Sequence, residues 1–345
     1  MFPAWVPSSL TAAATEPLAQ VEHVTAIIPN WNRAALLARA LESLARQTRP
    51  CSRVIVVDNG STDSSAAVAS AAGAETLRLP ANLGFAAAVN RGVLAASTPW
   101  VWILNNDVEL HPNCLERLLD GALAARADFA APRVRQLANP SRLDAAYDLL
   151  ARSGCAWRAG HGAPDGPLFA EPRPVRFAPM TALLVRRRLF EHAGPLDEFF
   201  GSYLEDVEFF LRAALCGSRG VYEPSAIAYH RGSATLGAWS APMVEQLARN
   251  QLLLAAKHFP ARWAWRVFAG QLLWGALAAR RGGFTAWLRG KWRGLRDAPR
   301  ARRSFSRAPR ASIEPLLAEC EAEIRRLQRA SRPEPYWKLY FGVAR

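Results

Sequence analysis

The sequence predicts an α/β fold with a mostly parallel central sheet and flanking helices. Three observations carry that expectation. Short apolar runs of strand length alternate with stretches whose apolar residues recur at helical spacing. One strand–helix–strand unit closes within about thirty residues, the length of a right-handed βαβ crossover. The apolar runs also end in similar polar turns: Pro29-Asn30-Trp31-Asn32, Asp58 to Asp63, Asn82 to Phe85, and Asn105-Asn106-Asp107. In a parallel sheet all carboxyl ends lie on one edge, so these four turns should converge on a ligand crevice.

Val24 to Ile28 reads as the first strand, ended by Pro29. Leu36, Leu37, Ala40, Leu41 and Leu44 give Arg33 to Thr48 a helical period. Arg53 to Val57 is a second buried strand ending in Asp58, and Ser61, Thr62 and Asp63 are capping residues for a helix to Ala72. Glu75 to Leu79 is a third strand, and Asn82 precedes a helix reaching Ala96. Trp100 to Leu104 is wholly apolar and stops at Asn105-Asn106-Asp107, as a strand buried on both faces would. Pro112 starts a helix whose buried side is Leu115, Leu118, Leu119 and Leu123. From Ala131 to Val175 Pro, Gly and Arg dominate, which reads as a loop-rich, acceptor-side segment. Ala182 to Arg186 is again a strand. Ser202 and Glu205 have capping-box spacing ahead of a helix with Val207, Phe210, Leu211 and Leu215 inside and Gly217 at its end. Val221-Tyr222 and Ala226 to Tyr229 read as two short strands around Pro224, followed by His230, and Arg249 to His258 is helical. The expected organisation is a loose leader over 1–21, a domain over 22–260 with a nucleotide-binding half (22–125) and an acceptor and catalytic half (126–260), and a basic, Trp-rich helical appendage over 261–345.

The formal charge of the 345 residues is +14, and it is concentrated. Between Arg262 and Arg310 stand thirteen Arg or Lys against one acid, Asp297. Five cysteines, an odd number with no paired spacing, fit free thiols in a reducing cytoplasm. No Lys or Arg precedes Arg33, so the N-terminal stretch does not read as a secretory signal.

Asp58 could accept hydrogen bonds from a nucleobase or ribose. Gly60 and Gly84 would let backbone approach a ligand closely. Asp107 could bind a divalent cation that holds a diphosphate, since hard oxygen ligands suit Mg²⁺ or Mn²⁺. Neither a GxxxxGKS/T phosphate loop nor a GxGxxG fingerprint is present, which argues against P-loop and nicotinamide-binding enzymes.

The blocks IIPNWN, DNGSTDSS, NLGFAAAVNRG, WILNNDVEL, GPLDEFFGSYLEDVEFFLR and YEPSAIAYHRGSAT, in order over 22–258, resemble glycosyltransferase family 2. Within it they most resemble the rhamnosyltransferase-like enzymes of bacterial polysaccharide assembly. The resemblance implies a GT-A fold, Rossmann-like with a mostly parallel sheet, and an inverting glycosyltransferase. It implies that Pro29, Asn30, Asn32, Asp58, Asn82, Gly84 and Asn106 surround the nucleotide donor. Asn105-Asn106-Asp107 stands where the family has its DxD motif, with Asp107 as the metal-binding member and His230 near the metal or diphosphate. Glu205-Asp206 matches the ED motif, in which Asp206 is the catalytic base. The implied cofactor is Mg²⁺ or Mn²⁺, held weakly because Asn105 replaces an acid. The implied partners are a dTDP- or UDP-linked donor, rhamnose favoured, and a lipid-linked or polysaccharide acceptor.

Plainer roles compete with some of these. The capping box would account for Glu205 without chemistry. Asp206 could be a helix-dipole acid, and His230 a hydrogen-bonded histidine after a strand. Asp63 reads as a cap, and Asp197 and Glu198 as turn and acceptor-side residues. Arg212 and Arg249 could form salt bridges or meet phosphate. Glu208, where many relatives carry Asp, is expected to matter little. Ala178 to Thr181 differs from the Gly-rich form common in the family. Two rival functions remain: a catalytically silent sugar-nucleotide-binding scaffold, and a sugar-nucleotide pyrophosphorylase, although the latter's glycine-rich loop after the first strand is missing.

In the appendage, Trp263, Trp265, Trp274, Trp287 and Trp292 alternate with Arg and Lys. The longest uncharged stretch, Val267 to Ala279, is too short to span a bilayer. Segment 261–310 is therefore expected to lie on an anionic membrane at the inner face of the plasma membrane, with no nucleic-acid role. The alternative is a helix packed on the core with a solvated basic face. Ile313, Leu316, Leu317, Cys320, Ile324 and Leu327 form a stripe that could cover the core.

Overall fold

Strand alternation sets the two faces of the sheet, and each face chooses its helices. The computed structural model describes residues 22–232, 239–303, 313–331 and 333–343; the expected leader, 1–21, lies outside them. The first half runs β1 (Val24–Asn30), α1 (Ala34–Ala45), β2 (Arg53–Asp58), α2 (Ser65–Ala71), β3 (Glu75–Arg78), α3 (Phe85–Ala95), β4 (Trp100–Leu104), β5 (Val108–Leu110) and α4 (Cys114–Ala124). Next come β6 (Phe129–Gln136), β7 (Asn139–Ala145), β8 (Asp148–Leu150), β9 (Ala156–Arg158), β10 (Arg173–Val175) and β11 (Ala182–Arg186). The chain continues through α5 (Arg188–His192), α6 (Glu205–Leu215), β12 (Gly220–His230), α7 (Ala241–His258), α8 (Ala264–Arg280), α9 (Phe284–Arg303), α10 (Ile313–Ala330) and α11 (Pro335–Val343).

The main sheet has the order β10-β12-β6-β11-β4-β1-β2-β3, with β5 on β12 and β7 on β6. β4, β1, β2 and β3 are mutually parallel, β11 enters antiparallel between β4 and β6, and β6 and β12 are parallel again. Val24, Ala26, Ile28, Trp100, Trp102 and Leu104 face one side, against α1 and α4. Ile27, Ile55, Val57, Val101 and Ile103 face the other, against α3.

Several elements differ from the sequence expectation, each for a physical reason. β1 does not stop at Pro29 but continues to Asn30, paired with Asp58. β4 accompanies β1 only as far as Ile27, so beyond it one edge is open and a residue without an N–H is tolerated. The segment 131–175 is largely strand rather than loop. Its arginines hid the pattern, because Arg133 and Arg135 lie in β6 and both pair with Asp165, at 3.0 and 2.5 Å. The two short strands around Pro224 are one strand, β12, with a register shift between Glu223 and Ile227. α7 begins at Ala241, where Ser240 Oγ accepts the Met243 N–H.

The C-terminal helices share the core of the α3 side. Ile313, Leu316, Leu317, Cys320, Ile324 and Leu327 of α10 are all buried there, together with Trp337 and Tyr340 of α11. The expected single interfacial helix is two helices joined at Gly282-Gly283, and Trp263 and Trp287 point inward rather than to an interface. The five cysteines are free; Cys114, Cys155 and Cys320 are buried and Cys216 is exposed. Among the described residues no helix is long and apolar enough to cross a membrane.

Candidate functional site

The carboxyl ends of β1, β2 and β4 carry the first cluster. Asn30 is buried at the end of β1, and its Oδ1 accepts from Asn106 Nδ2 at 2.7 Å, which ties β1 to the turn after β4. Asn32, with φ 56°, accepts the Thr62 N–H on Oδ1 at 2.9 Å. Asp58 is 1% exposed; its Oδ1 accepts the Ser61 N–H, while its Oδ2 has no hydrogen-bond donor, Arg78 Nε standing 3.3 Å away as an ion pair. A buried carboxylate oxygen left without a donor is costly unless a ligand supplies one. Asp63 is not the N-cap of α2, a position Ser64 holds; it accepts the N–H groups of Ser65 and Ala34, the first residues of α2 and α1.

Asn82 Oδ1 accepts the Gly84 N–H, and Asn59 crosses the same turn, donating to Asn82 Oδ1 and Gly84 O and accepting from Leu83 N. Gly84 has φ +90°, and a Cβ there would stand 3.0 Å from Gly201 O, so the turn touches the segment that leads into α6. Asn59 was not singled out from sequence; an amide beside an aspartate looks like ordinary turn chemistry.

Antiparallel pairing of β5 with β12 sets Val108 opposite His230 and so brings Asp107 and His230 together. Asp107 Oδ1 lies 3.1 Å from His230 Nε2, Asp144 Oδ2 lies 2.9 Å from His230 Nδ1, and Asn105 Nδ2 is 3.5 Å from Nε2. Burial alone would lower the imidazole pKa, but hydrogen bonds and charge from Asp107 and Asp144 raise it to about 9. Asp144, on β7, was not expected from sequence. It acts as the carboxylate that orients a histidine toward a metal or a second acid. Among the described residues no group of three or more His, Cys, Asp or Glu is set to hold a metal. Asp107 and His230 are the protein groups that could hold a divalent cation, the remaining positions being left to phosphate oxygens and water; His230 Nε2 would have to give up its proton and its contact with Asp107 to do so.

The second cluster is at the start of α6. Tyr203 and Leu204 are both in the left-handed region, with φ 68° and 67°. This entry overturns the expected capping box: Leu204 occupies the N-cap, and Ser202 Oγ instead accepts the Phe85 N–H at 3.4 Å. Glu205 is consequently free of a capping role. It is 5% exposed, its Oε2 has no partner, and burial together with the charge of Asp206 pushes its pKa well up. Asp206 is half-buried and accepts the Val207 N–H at 2.8 Å. Burial raises its pKa, and the Arg158 guanidinium works against that rise. Arg158 on β9 reaches Asp148 at 3.4 Å. Asp148 is raised to about 7 by burial, opposed by Arg158 and assisted by Asp206. Asp148 and Arg158 both come from the segment expected to be loops.

Three side chains of α7 hold the strained turn before α6. Asn250, fully buried, donates to Phe200 O, Ser202 O and Tyr203 O at 2.9, 3.0 and 2.7 Å, Gln246 donates to Phe200 O, and Arg249 donates to Phe199 O. Left-handed backbone at two successive non-glycine residues persists only where surroundings over-determine it. Asn250→Ala is therefore expected to lower turnover about tenfold or more with donor affinity unchanged; steady-state kinetics beside a donor titration checks this. Asp197 stays with structure here: it accepts the Phe199 N–H and pairs with Lys257 at 2.7 Å. Arg249 pairs with Asp297, and Arg212 with Glu208.

A pocket of about 540 Å³ lies between the Asn82 to Gly84 turn, the turn before α6, and helices α7 and α9; neither Asp107, His230 nor Asp206 lines it. Asn82 and Gly84, Gly201 and Ser202, and Arg289 and Arg293 of α9 line it.

Residues 25–193 match the model of the family described as glycosyl transferase family 2. The chain is 33% identical over 274 residues to the N-acetylglucosaminyl-diphospho-decaprenol L-rhamnosyltransferase of Mycobacterium tuberculosis, covering 71% of this chain and 87% of that protein. Among solved structures, GalNAc-T7 with UDP, GalNAc and Mn²⁺ superposes with a TM-score of 0.56 at 14% identity, over 73% of this chain and 51% of that one. The mannosyltransferase PcManGT of Pyrobaculum calidifontis, in complex with GDP-Man and Mn²⁺, gives 0.50 at 16% identity, over 96% and 83%. These two speak for the fold alone. With the parallel sheet edge, the polar turns and the α6 carboxylates in place, the chain belongs to glycosyl transferase family 2 and is a glycosyltransferase of GT-A fold.

Proposed function

We propose that the protein is an inverting glycosyltransferase that moves rhamnose from a dTDP- or UDP-linked donor to a lipid-linked or polysaccharide acceptor, at the inner face of the plasma membrane. The observation that carries the reading is the carboxyl pair at the start of α6. Glu205 is buried with an unpartnered oxygen, whereas Asp206 is more open, accepts a backbone N–H and feels Arg158. Two adjacent acids in such unequal settings divide the protonation states between them. Glu205 keeps its proton, and Asp206 is the anion able to take one from an acceptor hydroxyl. The helix N-terminus supports that anion. Rhamnose and the lipid-linked acceptor rest on the mycobacterial relative's name, and the acceptor would reach the anomeric carbon through the pocket between Gly84, Ser202 and Arg293.

Asn30, Asn32, Asp58, Asn82, Gly84 and Asn106 would hold the nucleoside. The unsatisfied Asp58 oxygen suits the N3–H of a thymine or uracil ring. Asp107 and His230 would hold a divalent cation, which when bound neutralises charge on the departing diphosphate. Asp144 fixes the ring that presents Nε2.

A thermal-shift screen of nucleotide sugars, with and without Mn²⁺, tests the reading. A donor at about a hundred times its Kd should add roughly 2.7 kcal/mol of stability. The expectation is a shift of several degrees from dTDP- or UDP-sugars, little from GDP-sugars, and loss of the Mn²⁺-dependent part in Asp107→Ala. No shift from any nucleotide sugar would reject the donor assignment. Shift without sugar transfer would favour a silent binder, and release of pyrophosphate in place of a nucleoside diphosphate would favour a pyrophosphorylase.

A further inference from the structure

Helices α8 and α9 each carry an apolar face on the protein side and another on the outside. In α8 the protein side is Ala269, Gly270, Gln271, Gly275 and Ala278. The outer side presents Trp265, Phe268 and Leu272, which are 61%, 54% and 48% exposed, followed by exposed Ala276 and Ala279. No charged residue interrupts it between Arg266 and Arg280. In α9 the protein side is Ala286, Trp287, Gly290, Gly294 and Ala301. Its outer side divides in two. Phe284, Leu288, Trp292 and Leu295, spaced as one helical stripe, are 47%, 46%, 64% and 67% exposed. Arg289, Arg293, Arg296 and Arg300, with the same kind of spacing, form a second stripe about a quarter turn further round.

The helix contacts show how these stripes lie. The Trp287 ring packs on Gly275, and Lys291 Nζ donates to Gln271, so α8 flanks α9 on the side of the apolar stripe. Arg289 and Arg293 pair with Glu245 of α7 on the opposite side. The two apolar stripes therefore adjoin, and the arginines border them. Seven of the thirteen exposed large apolar side chains among the described residues fall on these two helices. Such concentration marks an interaction surface rather than ordinary scatter.

Resting on the lipid-linked acceptor proposed above, we infer that the α8–α9 face lies flat in the headgroup layer of an anionic bilayer, with its apolar stripes at the acyl boundary and its arginines on lipid phosphates. The charge decides in favour of lipid. The only acid in 262–303 is Asp297, and it is tied to Arg249 and Arg296. An apolar patch for a protein partner needs no such one-sided border, whereas an anionic surface uses both parts. Tryptophan at the edge of the stripe, with Arg296 stacked 5.2 Å from the Trp292 ring, suits the interface between water and hydrocarbon. The orientation also places the basic side of the pocket, Arg289 and Arg293, along the membrane from which a phosphate-bearing acceptor would emerge.

Co-sedimentation of the full chain with phosphatidylglycerol-containing vesicles, and with phosphatidylcholine vesicles alone, tests this. Binding is expected to the anionic vesicles and to weaken at high salt. The triple variant Trp265→Glu, Phe268→Glu, Trp292→Glu should lose it. The pair Arg296→Gln, Arg300→Gln, which removes two exposed charges together with their ring contacts on Trp292 and Phe199, should weaken it about tenfold or more. Both variants should keep the thermal shift given by the nucleotide sugar, so a failed donor assignment and a failed membrane surface give different results. Failure of the wild type to bind anionic vesicles overturns the inference, as does equal binding by the arginine pair variant. A lipid-free dimer that the triple variant turns into monomer would overturn it in favour of a second copy on this face.

Discussion

Asp206→Asn is expected to lower turnover by about 10³-fold, within the range general-base catalysis supplies, and to leave donor affinity within a factor of a few. The substitution is nearly isosteric, and the amide oxygen can still accept the Val207 N–H, so the first turn of α6 keeps its shape. The lost property is basicity. Glu205 cannot replace it, because it is buried, lacks a partner on Oε2 and is held protonated by burial and by its neighbour's charge. The measurement is kcat for sugar transfer beside the donor-induced thermal shift. Turnover within tenfold of the wild type would remove Asp206 from the role of base.

The same pair gives the reaction a pH dependence of known sign. Burial raises the Asp206 pKa, so the ionised form that the proposed reaction needs is lost as pH falls, and the acid limb of the rate profile should lie above the ordinary aspartate value. Glu205 is already neutral where Asp206 titrates, so Glu205→Gln should leave the acid limb close to that of the wild type, with the plateau rate changing less than in Asp206→Asn. The apparent values belong to the cluster of Glu205, Asp206, Asp148 and Arg158 as a whole.

The parallel half of the fold was legible because its signals are local. A run such as Trp100 to Leu104 has few readings, and four polar turns after four strands must meet on one edge. What the chain concealed is tertiary. Arg133 and Arg135 break the apolar pattern of β6, and only the folded chain shows Asp165 neutralising them. With β6 to β9 unrecognised, Asp144, Asp148 and Arg158 could not be placed beside His230 and Asp206. Asn59 and Asn250 hold the two turns that frame the pocket, yet buried amides on backbone carbonyls leave no spacing signature. The Ser202–Glu205 spacing misled for a related reason. Capping needs an extended N-cap residue, and the left-handed Tyr203 and Leu204 turn Ser202 away toward Phe85.

Glu208→Gln should destabilise the protein by about 3–5 kcal/mol, the usual consequence of removing one member of a buried ionic cluster. Glu208 is fully buried; it receives Arg212 Nε on both oxygens at 3.0 and 2.9 Å, Lys257 Nζ at 2.7 Å and His258 Nε2 at 2.9 Å. Arg212 reaches on to the carbonyls of Ala193, Gly194 and Pro195, and Lys257 to Asp197, so the cluster ties α6 and α7 to the loop before α6. Glu208 thus contacts residues of two helices at once, and Glu208→Asp tests the expectation that Glu in place of Asp matters little. Burial would raise this carboxyl, but Arg212, His258 and Lys257 hold it far below its ordinary value. The sign follows. A depressed folded-state pKa contributes stability that is complete above the unfolded value, near 4.3, and is lost as pH falls below it toward the folded value. The melting-temperature gap between wild type and Glu208→Gln should thus be about 4–7 °C at pH 7 and shrink steadily below about pH 4. Glu208→Asp should fall between the two. A gap under a few degrees at pH 7, or one that widens in acid, would mean that the cluster's charges are balanced without Glu208. The anchor of the turn before α6 would then lie with Asn250, Gln246 and Arg249.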